Sequence, residues 1–260
     1  ADKVPQMAES DAGFASLQAN KTFSGPRYWA LVPNLKGLER AVSSGARAIS
    51  VFTAATETFN QRNVGMSIRD SLAQIREILQ EAKRKKLKTR GYVSTVFGCP
   101  FEGKTAPKQA LKVSHALLEL GVQELSLGDT IGVASPLDVD RVLGPLRKSL
   151  GVSHFKKIAV HFHDTRGTAL ANTLRSLEWG ISIVDASAGG LGGCPFAPGA
   201  TGNLATEDLI YMLDGMGIRT GVDLRELCET SLGLSKAIGR PISSRYLAAY
   251  LAACGPKTAK

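Results

Sequence analysis

Two observations predict an α/β fold of the TIM (β/α)8-barrel type. Short β-branched runs alternate with amphipathic helical segments along most of the 260 residues, the pattern of parallel strands joined by helical crossovers. Polar or unusual residues stand just beyond five of the strands: Pro33-Asn34, Thr56-Glu57, Gly128-Asp129-Thr130, His161 with His163, and the glycines from Gly189. In a barrel that rim is where sites assemble. A doubly wound sheet would gather its site at one switch point, so five contributing strands favour the barrel.

Residues 1–20 read as a loop running into a helix. Tyr28–Val32 is the first strand and Leu35–Ser44 its helix. Ala48–Phe52 follows, then Ile68–Lys86, where Leu72, Ile75, Ile78, Leu79 and Ala82 keep helical spacing against one wall. Four more units pair Arg90–Thr95 with Pro107–Leu120, Glu124–Leu127 with Leu137–Leu150, Ile158–His163 with Thr168–Glu178, and Ile181–Asp185 with Glu207–Met216. Leu224–Ile238 and Ser243–Cys254 read as additional helices. One catalytic domain is expected over 1–260, with 221–260 as its C-terminal helical extension. A closed barrel needs eight units of roughly 30 residues, and six leave it about 60 residues short. We therefore expect an N-terminally incomplete barrel rather than two overlooked strands.

Composition narrows the class. A hydrophobic content of 43% supplies a buried core. The longest apolar runs fall well short of the ~20 residues of a membrane span, so no membrane partner is expected. Cys99, Cys194, Cys228 and Cys254 are widely spaced with no CxxC pair. That fits a reducing compartment, the bacterial cytoplasm or the mitochondrial matrix. The net charge of +9 is scattered. Its one dense run, Lys83-Arg84-Lys85-Lys86 with Lys88 and Arg90, closes a predicted helix, where cations complement the dipole. Without an aromatic-interleaved basic motif, no nucleic-acid partner is expected. The excess charge could instead attract an anionic substrate.

The chemistry-bearing feature is His161-Phe162-His163, two of the four histidines, at the end of an apolar strand. A side-chain period of two sends both rings to one face, with Cα atoms roughly 6.5 Å apart. That reach suits one metal ion. Two imidazoles are too few, so oxygen ligands must come from elsewhere on the rim. Asn203 is a natural third and a carboxylate a natural fourth, with Asp129 and Asp164 as local candidates. Asp164 could equally orient an imidazole, and both histidines could simply be buried and hydrogen-bonded. Cys194 sits within Gly189-Gly190-Leu191-Gly192-Gly193-Cys194-Pro195, where a thiol could move a proton or act as a nucleophile. The other cysteines read as core. Arg90 and Tyr92 alternate with Ser94 and point the same way. Such an arginine would meet a carboxylate or phosphate in a barrel mouth, or a basal ion-pair partner at the strand's start.

At these residues the chain resembles the 3-hydroxy-3-methylglutaryl-CoA (HMG-CoA) lyase family of the DRE-TIM metallolyase superfamily. The matching stretches run in order through nearly the whole chain: Lys3–Met7, Val32-Pro33-Asn34-Leu35-Lys36-Gly37, Arg90-Gly91-Tyr92-Val93-Ser94, Gly98-Cys99-Pro100, Ser126–Gly132, His161–Thr165, Gly190–Pro195 and Gly202–Asp208. The resemblance implies retro-Claisen cleavage of HMG-CoA to acetyl-CoA and acetoacetate, a step of leucine degradation and ketone-body formation, with Mg²⁺ or Mn²⁺. It implies His161, His163 and Asn203 as metal ligands, with His161 also near the reacting oxygen. It implies Cys194 as proton donor on a closing loop, Asp129 and Glu207 as supporting acidic residues, and Arg90, Tyr92 and Thr130 as substrate contacts. The Claisen-condensing acyltransferases of the superfamily share the two histidines. They usually carry Asn-Asp where this chain has Asp164-Thr165, and they lack the cysteine–glycine loop. The extra C-terminal helices could cover the barrel's side or the partner of a homodimer.

One family feature is missing. The Arg-Asp pair of a Gly-Pro-Arg-Asp-Gly segment, which completes the metal shell and stabilises the enolate oxygen, has no counterpart; Pro26-Arg27 is followed by Tyr28. Loss of one such electrostatic group typically costs ~10²–10³ in rate. Weak turnover, or an inactive product, is therefore expected of these 260 residues by themselves.

Overall fold

A computed structural model describes residues 10–19, 27–193 and 202–254. The chain folds as two units, Ala1–Ser94 with Lys108–Leu127, and Thr95–Pro107 with Gly128–Lys260.

The first unit begins with helix α1 (Ser10–Ala19), the two-residue strand β1 (Ala30–Leu31) and α2 (Leu35–Ser43). Strand β2 (Ala48–Ala54) leads through α3 (Glu57–Val64) and α4 (Ile68–Arg84) to β3 (Lys88–Ser94). Helix α5 (Pro107–Glu119) then connects to β4 (Glu124–Asp129). All pairings are parallel: Ala30↔Ile49 joins β1 to β2, Ala48↔Lys88 through Ala54↔Ser94 joins β2 to β3, and Arg90↔Glu124 through Val93↔Leu127 joins β3 to β4. Strand β2 is buried at every position but Phe52, as a strand covered on both faces must be.

Helix starts follow from local chemistry. The Asn34 side chain accepts from Gly37 N at 2.9 Å and caps α2, so Pro33-Asn34 serves as a cap. Ser67 does the same for α4 through Asp70 N. Ile75, Ile78, Leu79 and Ala82 form the predicted buried wall of α4. Helix α3 was not predicted. Only Phe59 and Asn60 on it are buried, so it carries no apolar period. It is held by polar contacts, Thr53 Oγ1 to Asn60 Oδ1 and Asn60 Nδ2 to the Met66 carbonyl. Glu57, at its start, accepts from Ile68 N and so ties α3 to α4.

The second unit opens with a short antiparallel hairpin, Gly98–Cys99 against Gly103–Lys104, too brief to be legible in sequence. Helix α6 (Pro136–Phe155) starts in a capping box of Ser135 and Asp138 and is interrupted at Gly151. Strand β5 (Ile158–Phe162), α7 (Ala169–Glu178) and β6 (Ile183–Asp185) follow, then a 3-10 turn at Ala188–Gly190 and α8 (Thr206–Gly215). Helices α9 (Leu224–Ile238) and α10 (Arg245–Cys254) complete the unit. Strand β5 pairs in parallel with β6 from Ala159↔Ile183 to His161↔Asp185. Helices α6 and α7 are pinned by Asp140, which accepts from Arg175 Nε at 2.6 Å and Trp179 Nε1 at 2.7 Å. Six parallel strands with their helices, plus α9 and α10, give the six strand–helix units and C-terminal helices of the predicted TIM-barrel fold. The predicted Tyr28–Val32 and Ile181–Asp185 strands are trimmed to Ala30–Leu31 and Ile183–Asp185.

Candidate active site

The histidine–asparagine constellation lies wholly in the second unit. Ile158, Ala159, Val160 and Phe162 of β5 are fully buried. This anchors the strand and turns Phe162 onto Phe97, with ring centroids 5.8 Å apart. The neighbouring rings of His161 and His163 leave the opposite face, and their centroids are 5.2 Å apart.

The two imidazoles differ. His163 is buried, and its Nδ1 makes no hydrogen bond. Burial, reinforced by the neighbouring His161, lowers its pKa to about 4. The ring is therefore neutral at physiological pH, the state a metal ligand requires. His161 is more open, its side chain 28% exposed, and its Nδ1 lies 3.6 Å from Asp185 Oδ2. Asp185 is its register partner on β6, so strand pairing delivers a carboxylate to that ring.

Asn203 reaches the same place from forty residues away. Asp164 N donates to Gly202 O at 3.0 Å and Leu204 N to Phe162 O at 3.1 Å, setting Asn203 directly opposite His163 in an antiparallel bridge. Side chains so opposed share a face. Asn203 Nδ2 donates to the Leu191 carbonyl at 2.8 Å, and its Oδ1 is buried without a hydrogen bond. An unsatisfied buried polar atom costs about 1–3 kcal/mol. Two of them, on facing residues with a neutral imidazole and an amide oxygen, fit a cation. Among the described residues no group of three or more His, Cys, Asp or Glu is arranged to hold a metal, so the amide oxygen is needed to make a third donor.

Glycine permits this crossing. At Gly202, φ +115°, a Cβ would lie 2.0 Å from Gly190 O. At Gly192, φ +99°, it would lie 2.7 Å from Asn203 Nδ2. Side chains are excluded where these segments pass.

The carboxylates take distinct places. Asp129, fully buried at the end of β4, accepts from Val133 N at 3.0 Å and Ala134 N at 3.1 Å. Burial raises its pKa to about 6, against the lowering effect of those bonds, Arg166 and His161. Glu207, also fully buried, accepts from Gly189 N with both oxygens at 2.9 Å and from Ser231 Oγ; it sits under the glycine turn. Asp164 accepts from Ala169 N at the start of α7 and from Arg245 Nη1 at 3.1 Å, which engages it as a brace rather than as the fourth metal ligand.

Two of the three expected substrate contacts are occupied within the protein. Arg90, in the first unit, is 7% exposed, and its Nε lies 2.9 Å from Glu124 Oε1. Glu124 opens β4, so the basal ion pair left open by sequence is the arrangement found; the guanidinium also lies 4.8 Å from the Tyr92 ring. Thr130 Oγ1 accepts from Thr95 N at 2.7 Å, holding a β-branched residue at φ +56°. Cys194 lies outside the described residues. Cys99 and Cys228 are buried, as expected of core thiols. Sequence reasoning missed Asp185, the Leu191 carbonyl and Arg245. Only strand register and backbone crossings reveal them.

Residues 3–232 match the HMGL-like family. The chain is 48% identical over 223 residues to a hydroxymethylglutaryl-CoA lyase of Bacillus subtilis, covering 86% of this chain and 74% of that protein. It is 46% identical over 242 residues to the mitochondrial hydroxymethylglutaryl-CoA lyase of Macaca fascicularis, covering 93% and 73%. The crystal structure of hydroxymethylglutaryl-CoA lyase from Pseudomonas aeruginosa matches with a TM-score of 0.91 at 43% identity, covering 97% of this chain and 82% of that one.

Proposed function

This chain belongs to the HMGL-like family, and we infer from that premise that it is a carbon–carbon lyase cleaving HMG-CoA to acetyl-CoA and acetoacetate. The observation that carries the site is that His163 Nδ1 and Asn203 Oδ1 are both buried without a hydrogen bond, on residues bridged to each other. His161, His163 and Asn203 would hold a divalent cation, Mg²⁺ or Mn²⁺. Bound there, it supplies Lewis-acid polarisation of the substrate oxygens.

The chain's own residues account for the remaining steps. The tertiary hydroxyl must lose its proton before the carbon–carbon bond breaks, and His161, the more open ring, is the group we place at that oxygen. Asp185, 3.6 Å from His161 Nδ1, orients that ring. Asp129 contributes a further buried carboxylate at the end of β4. Glu207 holds the glycine turn rather than the substrate. Cys194 is assigned the protonation of the acetyl-CoA enolate, and Tyr92 an acyl-CoA contact. Relatives come from a bacterium and from mitochondria, and no described helix is long and apolar enough to cross a membrane. Bacterial cytoplasm or mitochondrial matrix is the proposed location, and a homodimer the proposed assembly.

Incubation with HMG-CoA and Mn²⁺ should release acetyl-CoA and acetoacetate in equal amounts. Consumption of acetyl-CoA with a keto acid, and no cleavage, would return the condensing acyltransferase reading, which the lyase relatives do not favour.

A further inference from the structure

The segment between α9 and α10 meets the glycine turn at Gly189. Ser243 N donates to Gly189 O at 3.1 Å. A Cβ on Gly189, φ +61°, would lie 2.4 Å from Ile242 Cδ1 and 2.9 Å from Ile242 Cβ, so the Ile242 side chain fills the space that the missing side chain leaves. From the other side, Glu207 takes Gly189 N. Gly189 is thus gripped at its N–H, its carbonyl and its open face.

The grip passes on through the turn. Gly190 N bonds Ser187 O and Leu191 N bonds Ala188 O, so fixing Gly189 fixes Leu191. The Leu191 carbonyl accepts from Asn203 Nδ2, and that bond aims the unsatisfied Oδ1. The strap is itself anchored. Asp208 accepts from Ser244 Oγ at 2.8 Å and Tyr246 N at 2.8 Å, and Arg245 reaches Asp164, the residue after His163.

We propose that Ile242 and Ser243 are positioning residues for the metal site, holding the Asn203 amide oxygen in place through Gly189 and Leu191. The proposal rests on reading Asn203 as a ligand. Outer partners of this kind set metal affinity by roughly 10–100-fold. The discriminating change is Ser243→Pro, which deletes the backbone donor at an exposed position. Ser243→Ala, which keeps the N–H, is its control.

Mn²⁺ dissociation constants from electron paramagnetic resonance titration of the purified protein, with melting temperature recorded in parallel, form the test. Ser243→Pro should raise the Mn²⁺ Kd roughly tenfold and shift melting little, whereas Ser243→Ala should match the parent. Ile242→Ala, which retains the N–H but empties the wedge, should also weaken Mn²⁺ binding and stands in if the proline variant does not fold. Asn203→Ala runs beside them. Weak binding by Asn203→Ala together with parental affinity in the strap variants would overturn the positioning role alone. Parental affinity in Asn203→Ala would overturn the ligand reading and the proposal with it.

Discussion

Replacing Asp129 with asparagine should remove a pH-dependent burden on the fold. In the native state its pKa is about 6, against an ordinary aspartate value of 3.8; the cause is burial, which penalises the ionised form. The folded protein therefore binds this proton more tightly than the unfolded chain does. The stability it contributes is fully present below pH 3.8 and is lost as pH rises through 6. A gap of about two units corresponds to about 3 kcal/mol in total. Between pH 5 and 7.5, where the protein is more safely handled, about 1.4 kcal/mol of it should disappear. At about 2–4 °C per kcal/mol for a chain of this size, the melting temperature of the parent should fall by about 3–5 °C relative to Asp129→Asn across that window. The asparagine retains an acceptor for only one of Val133 N and Ala134 N as securely as the carboxylate does, which adds an offset that is constant with pH. Thermal scans of both proteins in EDTA, which keeps divalent cations from the neighbouring histidines, isolate the slope from that offset. A parent-minus-variant difference that stays level, or grows with pH, would refute burial as the dominant influence on Asp129.

Phe162→Ala should cost about 3–5 kcal/mol, because the ring is fully buried against Phe97; calorimetry measures this. Arg90→Met should destabilise the protein by about 2 kcal/mol, below the fully buried range because the Glu124 side chain remains 22% exposed. Its KM for HMG-CoA should not change, and a raised KM at unaltered stability would return Arg90 to the substrate. Asp185→Asn should lower kcat roughly tenfold or more with little effect on melting, since it removes the charge behind His161; an unaltered kcat would dismiss that carboxylate from the site.

The alternation of strand and helix, the buried wall of α4 and the cap at Asn34 depend on neighbours within a few residues, and the sequence alone determines them. It also determines that β5 ends with two imidazoles on one face, because a strand's period of two is a local property. Helix α3 escaped because it is stabilised by the buried amide of Asn60 and not by an apolar stripe. What meets the imidazoles was decided by tertiary structure. Asn203 faces His163 because Gly202 and Leu204 bond to backbone groups across the end of β5, and Asp185 faces His161 because β6 pairs in that register and no other. Arg90 finds Glu124 for the same reason. Glu207 belongs to Gly189, and Gly189 to Ser243, through backbone N–H and carbonyl groups that every residue type carries. Side-chain chemistry is written in the sequence, but the backbone partners that aim it are identical at each position, so only the folded register selects them.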